Sequence, residues 1–118
     1  ATNINNKRLI SYSHGILGKL QPEQAQTYFI KALSLAQSIQ AWDLAYQWSQ
    51  QLATLYQQQG KYQKAIKSYE TALAHLTKVR DNLSSTNIDL QFSFYENVEP
   101  LYRNYMRLLL NTSHPQLD

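Results

Sequence analysis

The sequence predicts an all-α fold of stacked helical hairpins, a right-handed α-solenoid fragment that ends in a C-terminal capping helix. Two observations lead to this prediction. The segment 25–36 recurs as 65–76, with each landmark displaced by 40 positions. A fixed period of this length is typical of helical hairpins that bury one face against the next unit. Within each unit, apolar residues recur at the three- and four-residue spacings of a helix.

The first hairpin is predicted over residues 6–40. Its first helix covers Asn6–Leu20, and its second begins at Pro22, because proline suits the first turn of a helix. The residues expected to face the core are Leu9, Tyr12, Ile16 and Leu20, then Ala25, Phe29, Ala32, Leu33, Ala36 and Ile39. The turn between the helices is five residues shorter than its counterpart in the second hairpin. Either this turn is truncated or a stretch of chain between Leu20 and Gln21 is absent, and we favour the absent stretch.

The second hairpin is predicted over residues 42–83, with helices at Trp42–Gln59 and Tyr62–Leu83. Gly60 lies between them, where a residue that accepts the left-handed conformation commonly ends a helix. The residues expected to be buried are Leu44, Ala45, Trp48, Leu52, Leu55 and Tyr56, then Ala65, Ile66, Tyr69, Ala72, Leu73, Leu76, Val79 and Leu83.

After the second hairpin the period stops. Residues 84–93 are predicted to be a connector, and residues 94–111 a capping helix. Because proline is poorly tolerated deep inside a helix, Pro100 suggests that this helix starts between Tyr95 and Glu99. Its inward residues are expected to be Leu101, Tyr105, Leu108 and Leu109.

Composition argues against catalysis. The 118-residue chain has no cysteine, so it can form neither a disulfide nor a thiolate metal site. The histidines His14, His75 and His114 lack a partner at metal-ligand spacing. We therefore predict a non-enzymatic chain without metal or cofactor. No apolar run approaches the roughly 20 residues that a membrane span requires, and we expect a cytoplasmic protein with no membrane partner.

A modest net charge of +3 gives little support for nucleic-acid binding. Lys61, Lys64 and Lys67 share one helix face, but such a row is more often a solvated surface. We therefore expect no nucleic-acid partner, and a helical-repeat RNA-binding module stays open as the less favoured alternative.

The second unit resembles the tetratricopeptide repeat (TPR). Its run of Leu52-Ala53, Tyr56, Gly60, Ala65, Tyr69 and Ala72 follows that pattern of small and aromatic residues. Ser49 stands where the repeat usually has Trp, and Trp48 lies one residue away, about 100° around the helix. Trp48 is therefore expected to pack on the neighbouring hairpin.

A longer stretch is similar to one particular group. Ala45–Leu52, followed by the segment Asp89–Phe94 and by Val98-Glu99-Pro100 with Tyr102-Arg103, resembles the TPR region upstream of the caspase-like CHAT domain in mostly cyanobacterial proteins. The resemblance implies a non-catalytic scaffold for protein partners, a regulatory region beside a peptidase-like domain. A structural or self-associating spacer, and hence a possible homo-oligomer, is the alternative.

The repeat pattern also predicts a partner-binding surface. Aligned with the repeat, five residues of the helix at 42–59 face the concave groove: Gln47, Gln50, Thr54, Gln57 and Gln58. Chaperone-binding repeats resemble this scaffold but hold a peptide carboxylate with Lys and Asn at such positions, so a carboxylate clamp is not expected. Amides donate and accept hydrogen bonds, which suits a peptide backbone. The alternative is an ordinary solvated face.

Overall fold

A computed structural model describes residues 3–82 and 88–113, and five α-helices account for nearly all of them. The elements are α1 (Asn3–Leu20), a 3₁₀ turn (Pro22–Gln24), α2 (Ala25–Ser38), α3 (Trp42–Gln58), α4 (Tyr62–Asn82) and α5 (Ile88–Ser113). The described residues contain no strand. The predicted all-α class is therefore confirmed.

The helices stack in chain order. α1 pairs with α2, α2 packs on α3, α3 pairs with α4, and α4 packs on α5. This succession of neighbours gives an elongated body of 54 × 37 × 20 Å. α3 thus lies between α2 and α4, where it can bury side chains in both directions.

Two adjoining apolar cores hold the stack together. The first lies between α2 and α3 and contains Ala25, Phe29, Ala32, Ala36, Ala41, Leu44, Ala45, Trp48 and Leu52. The second joins α3, α4 and α5 and contains Ala53, Ala65, Tyr69, Ala72, Leu76, Val98, Leu101 and Leu108. The alanines let the helix axes approach while the larger side chains fill the remaining space. Nearly all of the core predicted for α2, α3 and α4 lies in or against these clusters; Leu83 is outside the described residues.

Trp48 packs on the first hairpin, as predicted. Its indole lies so close to Gly15 that a Cβ there would come within 2.0 Å of the ring. The indole Nε1–H donates to the Ser11 hydroxyl over 3.2 Å, and Ser11 donates to the carbonyl of Ala32 over 2.7 Å. The Phe29 ring stacks beside it with centroids 6.2 Å apart. Trp48 therefore links α3 to both helices of the first hairpin.

The face predicted for α1 was wrong. Leu9, Tyr12 and Leu20 are exposed by 63%, 48% and 71%, and only Ile16 is half-buried. The small residues Ser11, Gly15 and Gly18 face the core in their place. The rings of Trp48 and Phe29 occupy the space beside these small residues, so no room remains there for a large side chain.

The turns after α2 and α3 have the same geometry. Gln40 has φ 59° and Gly60 has φ 75°, both in the left-handed region. In each turn the following N–H reaches back to a helix carbonyl: Ala41 to Ala36 over 2.8 Å, and Lys61 to Tyr56 over 2.9 Å. This is the Schellman arrangement, for which glycine is the preferred residue. Gly60 ends its helix as predicted, whereas the same turn at Gln40 was not predicted, because no glycine marks it.

The turn between α1 and α2 is short and continuous. The N–H of Gln21 donates to the carbonyl of Leu17 over 2.9 Å, and the N–H of Gln24 donates to Gln21 over 3.0 Å. Pro22–Gln24 then form the 3₁₀ turn that leads into α2. The turn is therefore truncated and closes without additional residues, which corrects our preference for an absent stretch.

The start predicted for the last helix was also wrong. α5 begins at Ile88, and Pro100 lies inside it. Pro100 has no N–H to offer the carbonyl of Glu96, but both residues are exposed, so water can satisfy that carbonyl. Residues 88–93, predicted as connector, are helical, and residues 84–87 lie outside the described part of the chain. Leu101 and Leu108 are buried, and Tyr105 and Leu109 are half-buried, as expected for the inward face.

Candidate functional site

The five residues predicted to bind a partner form a polar ridge along one face of α3. Gln47, Thr54 and Gln58 are exposed, whereas Gln50 and Gln57 are half-buried. The Thr54 hydroxyl donates to the carbonyl of Gln50, one turn earlier, over 3.2 Å. This bond occupies the hydroxyl hydrogen and leaves oxygen lone pairs free to accept. The ridge therefore presents amide and hydroxyl groups with no formal charge.

The C-terminal half of this ridge borders a cleft with α5. Thr54, Gln57 and Gln58 line it from α3, Asn104 and Arg107 from α5, and Tyr69 from α4; its volume is about 330 Å³. We call this space the α3–α5 cleft. Gln47 and Gln50 are not among its lining residues. The structure thus brings three of the five predicted residues together.

Tyr69 fixes the orientation of one amide in the α3–α5 cleft. Its hydroxyl donates to the side-chain oxygen of Gln57 over 3.3 Å, which directs the amide NH₂ of Gln57 away from that bond. The Tyr69 ring is itself 98% buried and packs against Tyr105, with centroids 6.0 Å apart. Tyr105 in turn donates to Glu70 over 3.2 Å. A packed aromatic pair therefore supports the floor of the cleft.

Arg107 is the charged residue in the lining of the α3–α5 cleft, and no sequence pattern singled it out. It lies in α5 together with Asn104, which is half-buried, and both are about 50 residues beyond the α3 ridge. Only the packing of α5 against α4 brings them opposite Gln58. A guanidinium among amides gives the cleft a cationic end with neutral hydrogen-bonding walls.

Neighbouring clefts extend this surface on both sides. A wider one of about 700 Å³ shares Gln57 and runs between Tyr62 and Asn111. A smaller one of about 240 Å³ on the first hairpin shares Thr54 and Gln58 and reaches Lys19. The ridge of α3 thus separates two grooves, and Thr54 and Gln58 face both.

The described histidines take part in packing. His75 is 91% buried, stacks on Trp42 with centroids 5.0 Å apart, and contacts the Gln37 amide nitrogen through Nε2 at 2.9 Å. Burial lowers the pKa of His75 below its ordinary value of 6.5, and the Lys78 charge acts in the same direction. His14 stacks on Tyr28 at 6.1 Å. His114 lies outside the described residues.

The row of lysines considered in the sequence is exposed. Lys61 is exposed just before α4, and Lys64 and Lys67 are exposed along it; the Nζ of Lys64 lies 5.7 Å from the centroid of the Tyr56 ring. Within residues 3–82 and 88–113, no cluster of His, Asp and Glu has the arrangement of a metal site. None of the helices in that part of the chain is long and apolar enough to cross a bilayer.

The paired helices, the alanine crossings and the left-handed turn at Gly60 define a protein of the helical-repeat class. A model of the tetratricopeptide repeat matches residues 17–78, which is more than half of the chain. The chain therefore belongs to the tetratricopeptide repeat family, whose members generally mediate protein–protein interaction and are typically non-catalytic. No curated protein and no solved structure gives a significant match.

Proposed function

We propose that this chain is a non-catalytic scaffold that binds a peptide segment of a partner protein in the α3–α5 cleft. The observation that carries the proposal is the convergence of Gln57 and Gln58 with Asn104 and Arg107 around one open cleft. Amide side chains can pair with both the N–H and the C=O groups of a bound peptide. The Arg107 guanidinium would pair with a carboxylate of that peptide.

This proposal narrows the surface predicted from the sequence. Gln47 and Gln50 lie on the same side of α3 but outside the cleft lining, so we assign them a peripheral role. The proposed site also includes a cation, the Arg107 guanidinium, which the amides of α3 alone do not provide. The favoured ligand is therefore an acidic peptide segment, and a neutral backbone ligand is the less favoured one.

The proposal can be tested with a random peptide library selected against the intact chain. Peptides that are enriched should carry a carboxylate, and their affinity can be measured by fluorescence anisotropy. Arg107→Gln should weaken them by up to about fivefold, since Arg107 is exposed and an exposed ion pair contributes about 0.2–1 kcal/mol. Gln58→Glu should weaken them as well, because it places a carboxylate beside Arg107.

Gln47→Glu provides the matched control. It adds the same charge to the same helix face, outside the cleft, and should leave affinity unchanged. Equal weakening by Gln47→Glu and Gln58→Glu would show that the whole α3 ridge binds. Full affinity in both Arg107→Gln and Gln58→Glu, with circular dichroism unchanged, would exclude the α3–α5 cleft.

We also propose that the chain is the regulatory repeat region of a larger protein with a CHAT peptidase-like domain. The support is the resemblance at Asp89–Phe94 and at Val98–Arg103. Because this chain has no cysteine, the thiol chemistry of such a domain would lie elsewhere in the parent protein. The full coding sequence tests this directly, and a parent without a domain containing the His and Cys pair would refute it.

A further inference from the structure

α5 carries a second apolar face that packs against nothing in the described structure. Tyr95, Tyr102, Met106 and Leu110 are exposed by 61%, 47%, 53% and 59%. Their spacings of seven, four and four residues place them on one side of the helix. We call them the outer stripe of α5. It extends over about 22 Å of helix, from 15 residues at a rise of 1.5 Å each.

The outer stripe does not fit the role predicted for α5. A terminal cap of a solenoid should present a polar outer face to water. The inner face of α5 already contacts the second core through Val98, Leu101 and Leu108. An additional row of two tyrosines, a methionine and a leucine on the outside is the pattern of a helix that packs on both sides.

The charges beside the outer stripe indicate which partner fits it. Glu96 and Glu99 lie in the N-terminal half of the stripe, and Arg103 and Arg107 lie in its C-terminal half. A second α5 running antiparallel would set the acidic half of each helix against the basic half of the other. A parallel arrangement would set like charges together, which is unfavourable.

We propose that two copies of this chain pair through the outer stripes of α5, antiparallel and around a twofold axis near Tyr102. In this arrangement Tyr95 of each copy lies near Leu110 of the other, and Met106 packs beside the axis. Within one chain, Arg103 already forms a two-pronged ion pair with Glu99. In the dimer the Glu99–Arg103 ion pair of one copy lies next to the same ion pair of the other copy, so that opposite charges also attract across the interface.

The exposed face of α1 does not offer a comparable site for a second copy. The exposed apolar residues there are Ile4, Leu9, Ile10, Tyr12 and Leu20, but the helix carries no acidic residue. Arg8 is paired with Asp43 of α3, which leaves Lys7 and Lys19 as the cations of this face. Two α1 faces would therefore bring like charges together. Arg107 borders both the outer stripe and the α3–α5 cleft, so the dimer is tested at Met106, Glu99 and Arg103, which do not line the cleft.

Sedimentation velocity over a range of concentrations tests the dimer. The intact chain should show a reversible monomer–dimer equilibrium in the micromolar range, typical of a small interface. Met106→Glu should weaken association at least about tenfold by placing a charge in the apolar contact. Leu9→Glu places the same charge on the exposed face of α1 and should associate like the unmodified chain. Circular dichroism verifies that both variants are folded.

A charge-exchange experiment tests the antiparallel geometry. Glu99→Arg gives a chain with two basic residues at the crossing, and Arg103→Glu gives a chain with two acidic ones. Each variant alone should be monomeric, whereas an equimolar mixture should form a heterodimer. Both variants lack the internal ion pair, so recovery in the mixture can come only from contact between chains.

Any one of several results would overturn the proposal. They are a chain that remains monomeric at every concentration, association that continues beyond a dimer, and a mixture of the two charge variants that remains monomeric. Equal weakening by Leu9→Glu and Met106→Glu would also overturn it, because it would assign association to α1.

Discussion

The second helices of the two hairpins bury similar residues at matching positions, whereas the first helices differ in the kind of residue that they bury. α2 buries Ala25, Phe29 and Ala32, and α4 buries Ala65, Tyr69 and Ala72 at the matching positions. α3 buries Leu44, Trp48 and Leu52 in the core it shares with α2 and Ala53 in the core it shares with α4, whereas α1 buries small residues and exposes large ones. A helix at the end of the stack has only one neighbouring layer, so its place in the stack decides which of its faces is buried.

Small residues replace large ones in α1 because the neighbouring rings already fill the space. Gly15 faces the Trp48 indole, and a Cβ at Gly18 would lie 2.8 Å from the Phe29 ring. In α3, Ala53 is fully buried and large residues beside it complete the packing. The first hairpin is thus held mainly by rings that α2 and α3 direct into α1.

The largest expected effect is the loss of the ring that joins the hairpins. Trp48→Ala should lower the free energy of unfolding by about 3–5 kcal/mol, because it leaves a cavity beside Gly15 and removes the bond to Ser11. Leu9→Ala, on the exposed face of α1, should change it by less than about 0.5 kcal/mol. Chemical denaturation measures both. Similar losses in the two variants would mean that α1 buries the face that the sequence predicted.

The sequence was sufficient to predict the buried face of the helices in the second hairpin, but not the buried face of α1. Periodicity placed the buried residues of α3 and α4 correctly, because these helices have neighbours on the faces that the pattern marks. In α1 the same periodicity selected Leu9, Tyr12 and Leu20. Spacing alone cannot distinguish an apolar stripe that faces the core from one that is exposed at the end of the stack. The small residues Ser11 and Gly15 mark the buried face of α1, but this can be recognised only when the position of the Trp48 ring is known.

The residues of the candidate site likewise divide into those that the sequence pattern could predict and those that it could not. Gln57 and Gln58 could be selected from the repeat pattern, because the pattern fixes which side of α3 faces the groove. Asn104 and Arg107 could not, since they reach the cleft only through the packing of α5 on α4. Pro100 also led to a wrong start for α5. Water can satisfy the exposed carbonyl of Glu96, and the packing of Val98, Leu101 and Leu108 on the second core offsets the remaining cost of the proline.

The next effect concerns the two left-handed turns. Gln40 and Gly60 occupy equivalent Schellman positions, but only Gln40 carries a Cβ there. Gln40→Gly should stabilise the fold by about 0.5–1 kcal/mol, because relief of the left-handed strain exceeds the added chain entropy. Gly60→Gln should destabilise it by a similar amount. Thermal melts compare them, and shifts in the same direction for both would show that the two turns are not equivalent.

The smallest expected effect lies at the junction of the hairpins, where His75 of α4 meets Gln37 of α2. Because burial lowers the pKa of His75 below 6.5 in the folded state, the unfolded chain binds the proton more tightly. Stability is therefore complete above the unfolded pKa and declines as the pH falls from 6.5 toward the folded pKa. His75→Gln should be less stable at neutral pH but should flatten this decline. Denaturation curves at several pH values give the comparison, and an unchanged slope in the variant would assign the pH dependence to another group.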